Sequence, residues 1–66
     1  MFAEKLKELR KAKGLTQIQF ALDFHVASGT VGMWETGRRE PDFETTRRIA
    51  DYFGVSVDYL LGREGR

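Results

Sequence analysis

Residues Gly14 to Pro41 read GLTQIQFALDFHVASGTVGMWETGRREP, two short helical patterns joined by a tight turn. Thr16 can open the first. Its hydroxyl is placed to accept from the amide three residues on, and Gln19 is placed to bond back, which makes a capping box. Phe20, Ala21 and Phe24 then form an inward stripe that ends near His25. The second pattern spans Ser28 to Thr36. At about 100° per residue, Val31 and Trp34 point one way, flanked by Thr30 and Glu35. Gly29, Gly32, Met33 and Thr36 point the other way. The apolar pair marks the buried side, so the outer ridge holds two glycines, a methionine and a threonine. Two internal glycines cost on the order of 1 kcal/mol each against alanine. Ala27 is a poor N-cap, which costs about 0.5–2 kcal/mol against serine, and Ser28 is the alternative cap if the helix begins later. A weak helix with a bare outer face points to a large partner that comes close to its backbone. Simple tolerance of glycine at a surface is the competing reading.

Working outward, Phe2, Leu6, Leu9 and Ala12 or Lys13 recur at helical spacing, which predicts an amphipathic helix over Phe2 to Lys13, ended by Gly14. Asp42 or a neighbour can cap a fourth helix, in which Thr46, Ile49, Ala50 and Phe53 recur and which Gly54 ends. Ser56 can cap a last short helix from Val57 to Leu61, ended by Gly62. No segment alternates with period two long enough for a strand. The expectation is an all-α, compact five-helix bundle, one domain over residues 1–62, with 63–66 a tail or the start of a linker.

Sixty-six residues stand near the lower limit for an unassisted core. There is no cysteine and a single histidine, so disulfides and clustered zinc spacings are excluded and no metal or cofactor is expected. His25 reads as a turn residue and has no nucleophile to serve; no paired catalytic groups or phosphate-cradling loop appear, so an enzyme is not expected. No run approaches the roughly 20 apolar residues of a membrane span. The opening MFAEKLKELR lacks the apolar centre of a signal peptide, and a soluble, cytoplasmic protein without membrane partners is expected. The net charge of +1 says little, but its distribution says more. Lys5, Lys7, Arg10, Lys11 and Lys13 outnumber Glu4 and Glu8 early, and Arg38 and Arg39 sit together. The acids Asp42, Glu44, Asp51 and Asp58 gather late. Either the molecule is polarised, or these are ordinary solvated faces.

Taken together, LKELRKAKGLTQ, VASGTVGMWETGRREP and ADYFGVSVDYLLG resemble the Cro/repressor-type (XRE-like) helix-turn-helix domains of phage and bacterial transcriptional regulators, across essentially the whole chain. The resemblance implies a lambda-repressor-like bundle in which the third helix enters the major groove while the second crosses the DNA backbone. It implies phosphate contacts from Thr16, Gln17, Thr36, the amide of Gly37, Arg38 and Arg39, with Arg38 and Arg39 touching backbone or minor groove. It puts Ser28, Gly29, Gly32 and Met33 on the base-facing side. Arg10 and Glu35 match a pair that forms a buried ion bridge in several relatives. Val57, Leu60 and Leu61, with Tyr59, lie where relatives self-associate, although a core role stays open for them.

Three departures stand out. His25 occupies a turn position usually held by glycine, and Ala27 replaces the usual serine cap. The Gln, Arg or Lys common at base-reading positions is absent, so bidentate recognition by the third helix is not expected. Apolar contact of Met33 with thymine methyls, hydroxyl contacts from Ser28 and sequence-dependent DNA shape remain. The functional expectation is a repressor that binds a two-fold related operator on double-stranded DNA as a homodimer. The alternative is a protein-interaction module, antitoxin-like or a co-regulator, that uses Ile18 and Leu22, which lie opposite Phe20 and Phe24.

Overall fold

Left-handed residues punctuate the chain where its helices end. A computed structural model describes residues 2–63 and shows five helices: α1 (Phe2–Ala12), α2 (Gln17–Phe24), α3 (Ser28–Thr36), α4 (Phe43–Phe53) and α5 (Val57–Leu60). No strand occurs among the described residues. Helix α1 stops one residue short of Lys13, whose amide bonds the carbonyls of Leu9 and Arg10 as the chain turns into Gly14 at φ 76°. The last helix also stops one residue short of expectation, with Leu61 just beyond it at φ −85°. Of the tail, residues 64–66 lie outside the described residues, and the Arg63 amide bonds the Asp58 carbonyl.

The caps follow the side chains available. Thr16 and Gln19 form the reciprocal capping box of α2, with bonds of 2.8 and 3.0 Å. Asp42 Oδ1 accepts from the Thr45 amide at 2.9 Å, and that bond holds the Asp42 carboxyl below its usual range. Ser56 caps α5 through the Tyr59 amide. Helix α2 ends at His25 in the left-handed region, φ 65° and ψ 44°, where its amide bonds Ala21 and Leu22 carbonyls. Histidine is therefore strained into a glycine-type position.

Phe20 is the centre of the core. It is fully buried, and its ring lies 5.2 Å from Phe24, 5.2 Å from Tyr52 and 5.3 Å from Phe53. The contacts with Tyr52 and Phe53 join α2 to α4. Trp34 meets Phe24 edge-on at 6.3 Å, which brings α3 against the same cluster. Leu6, Val31, Ile49 and Leu60 complete the buried interior, as the inward stripes require. Tyr52 also donates to Asp23 Oδ2 at 2.5 Å, and this bond pushes the Tyr52 hydroxyl up to about 12. Arg48 lies 4.4 Å over the Phe24 ring and donates to the Phe24 carbonyl at 3.5 Å, near the negative end of α2. No helix among the described residues is long and apolar enough to cross a membrane.

Candidate nucleic-acid interface

Helix α3 begins without a side-chain cap. Ala27 takes the N-cap conformation at φ −73° and ψ 145°, and Ser28 is the first helical residue, not the cap. The Thr30 and Val31 amides bond the Ala27 carbonyl, at 3.0 and 3.4 Å. Amides before them have no helical partner by construction. At the other end Gly37 adopts φ 78°, and its amide bonds Met33 and Trp34 carbonyls. The Arg38 and Arg39 amides also bond the Met33 carbonyl. The Gly37 amide expected to meet a phosphate is thus already engaged in ending α3. Thr36 is exposed, but its hydroxyl donates back to Gly32 and Met33 carbonyls at 3.0 and 3.3 Å.

The buried side of α3 follows the spacing, and the outer side follows it in part. Val31 and Trp34 are buried, while Ser28, Gly29 and Thr36 are exposed and Gly32 and Met33 half-buried. The two glycines differ. A Cβ at Gly29 would meet nothing within 4 Å, whereas one at Gly32 would stand 3.8 Å from Gln17 Oε1. Only Gly29 is bare; the space over Gly32 is bordered by a side chain from α2. Gly29→Ala should therefore raise the unfolding free energy by up to about 1 kcal/mol, the full interior value being an upper bound in the first turn of α3, since alanine gains helix propensity without a clash. Urea denaturation checks this, and an unchanged midpoint would show that the glycine carries no helical penalty.

Behind α3 lies an ion pair. Arg10 Nε donates to Glu35 Oε2 at 2.6 Å and Nη2 donates to Oε1 at 3.0 Å, with side chains only 8% and 2% exposed. Arg10 Nη1 reaches the Leu15 carbonyl at 2.6 Å, tying down the loop before α2. Burial pushes the Glu35 carboxyl up, but bonds from Arg10 and Gln17 and the charges of Arg10 and Lys7 outweigh it and hold the group below its ordinary value. The Gln17 bond, 3.1 Å from Nε2 to Oε1, has no signal in the sequence. It joins residues on separate helices, and only the packing angle of α2 on α3 brings them together.

The remaining assignments sort by exposure. Thr16 is exposed, and its cap uses the hydroxyl as an acceptor, so its hydrogen can still be donated. Arg38 and Arg39 are exposed. Among the described residues the other arginines beyond Arg10 are tied down: Arg47 to Glu44 and Asp51, Arg48 to Phe24, Arg63 to Asp58. Leu60 is fully buried in its own core, so of the four residues named for self-association Val57, Tyr59 and Leu61 keep surface. Ile18 and Leu22 stand 62% and 73% exposed. Phe43, 70% exposed, escapes the helical stripes because it precedes the first buried turn of α4.

A helix-turn-helix family model matches residues 6–60 of the chain. The chain is similar to the HTH-type transcriptional activator BcrR of Enterococcus faecalis, 40% identical over 63 residues that make 96% of this chain and 31% of that protein. It is 42% identical over 64 residues to the uncharacterized HTH-type transcriptional regulator YqaE of Bacillus subtilis, covering 97% of this chain and 55% of that one. Similarity at 31% over 61 residues extends to the cryptic phage CTXphi transcriptional repressor RstR of Vibrio cholerae, covering 92% and 55%. A crystal structure of a transcriptional regulator from Listeria innocua superimposes with a TM-score of 0.88 at 38% identity, over 100% of this chain and 62% of that one. The chain thus spans from 31% to 62% of the length of these proteins.

Proposed function

The chain belongs to the helix-turn-helix family, and from that membership we propose that it is a sequence-specific DNA-binding domain of a transcriptional repressor, acting in the cytoplasm as a dimer on a two-fold related operator. The observation that carries it is the outer face of α3, bare over Gly29, with Ser28 exposed at one end and Arg38 and Arg39 exposed just past the other. An α-helix so stripped can lie deep in a major groove, its glycine backbone near the base edges. The N-terminus of α2, with its unpaired first amides and Thr16 hydroxyl, suits a phosphate. Repression needs only occupancy of the site, whereas activation needs a further contact with the transcription machinery. Dimerisation places two copies of α3 about 34 Å apart, one turn of the duplex, and doubles the phosphate contacts. Val57, Tyr59 and Leu61 are the surface residues assigned to that contact.

The roles separate by mutation. Arg38→Ala should weaken binding to all sequences alike and flatten the slope of log affinity against log salt by about one unit per half-site. Met33→Ala should instead change the ranking of sites, through loss of apolar contact with thymine methyls. Equal losses on every site from Met33→Ala would remove it from the readers. A second reading, a protein-interaction module, rests on the exposed pair Ile18 and Leu22. Loss of function from Ile18→Ser/Leu22→Ser with DNA affinity intact would favour that reading.

A further inference from the structure

Glu35 sits where α1, α2 and α3 meet, and its two oxygens do different work. Among the described residues Oε2 accepts from Arg10 alone, while Oε1 accepts from Arg10 Nη2 at 3.0 Å and from Gln17 Nε2 at 3.1 Å. An ion pair that only stabilised the bundle would be complete with Arg10, which already engages both oxygens as a fork. The bond to Gln17 adds a constraint on the first residue of α2. The Gln17 carboxamide lies between Glu35, which its nitrogen meets, and Gly32, toward which its oxygen turns, 3.8 Å from where a Cβ on that glycine would stand. A long side chain at position 32 would compete for that space.

Nε2 carries two hydrogens, and the bond to Glu35 occupies one. Resting on the assignment of the α2 N-terminus to DNA, we propose that Glu35 is a positioning residue for DNA binding: it holds the Gln17 carboxamide in one orientation so that the second N–H meets a backbone phosphate. Glu35 touches no DNA. It acts by removing rotamer freedom from Gln17 before binding, so that less is lost when the phosphate arrives. A Cβ at position 32 would make only an ordinary contact with the carboxamide, so alanine fits there and only longer side chains would disturb Gln17.

The test is a double-mutant cycle on operator affinity, measured by fluorescence anisotropy with folded protein. The carboxylate is removed together with its partner as Arg10→Met/Glu35→Leu, because an apolar pair of similar volume preserves folding where a lone buried charge does not. With Gln17 present, this change should weaken binding about three- to tenfold, the range expected for one newly freed side chain. In a Gln17→Ala background it should have no further effect. Equal losses in both backgrounds would mean a structural role only and would overturn the assignment. Where the double variant does not fold, NMR of the free wild-type chain decides. The Gln17 side-chain amide protons should be displaced from the positions of an unconstrained glutamine and should exchange slowly with solvent. Resonances at the positions of a freely rotating glutamine would overturn it equally. If the wild type binds no DNA at all, the DNA reading and this one fall together; binding with additive losses sinks only the role of Glu35.

Discussion

Arg10→Met should lower the unfolding free energy by about 3–5 kcal/mol, the range for breaking a buried pair from one side. The Glu35 side chain is 2% exposed, and Arg10 supplies two of its three hydrogen bonds. Without Arg10, burial would push the carboxyl up unopposed except by Gln17 and Lys7. The Leu15 carbonyl would lose its partner as well. A domain of this size has a total stability of about 3–10 kcal/mol, so the variant should be largely unfolded near physiological temperature. Arg10→Met/Glu35→Leu should recover most of the loss. The pH dependence has a definite sign. The folded carboxyl lies below its ordinary 4.5, so its contribution is present above that pH and disappears as pH falls through the folded value. That acid arm should be missing from the double variant. Urea melts of the three proteins from about pH 3 to 7 check all of this, and a single-variant loss under about 1 kcal/mol would place the pair among ordinary surface bridges.

Phe20→Ala should be comparably severe, at about 3–5 kcal/mol. Its ring is fully buried and touches Phe24, Tyr52 and Phe53, so truncation opens a cavity among rings that cannot all move into it. Offset and edge-on ring contacts add to the burial that is lost. Phe20→Leu should retain a folded, weakened domain. Thermal melts followed by circular dichroism measure both, and a Phe20→Ala midpoint close to wild type would mean that the core re-forms around the gap.

Local chemistry makes much of this fold legible. The capping box at Thr16 and Gln19, the Asp42 and Ser56 caps, and the glycine ends at Gly14, Gly37 and Gly54 each depend on a few consecutive residues. The buried side of α3 follows from helical spacing alone, with Val31 and Trp34 in the core. What spacing does not carry is the relation between helices. The Gln17–Glu35 bond, the filling of the space beside Gly32 and the grip of Arg48 on Phe24 all arise from how α2 sits on its neighbours. Arg10 and Glu35 stand out only through resemblance, since a charged residue on an amphipathic helix reads as surface. Leu60 carries a dual reading because a four-residue helix has too few turns to show which of its apolar residues face inward. The glycine ridge is legible as a weak, bare helix face, but its two halves are not: Gly29 stands open, and Gly32 accommodates Gln17.

The most direct test is the affinity of the wild-type chain for duplex DNA at about 50 and 200 mM salt, on a site selected from a random pool and on mixed sequence. A dimer that makes about six or more phosphate contacts should lose about a thousandfold in affinity between the two salts, and should prefer the selected site at both. Absence of binding at the lower salt, or affinity that does not change with salt, would contradict a DNA-binding role.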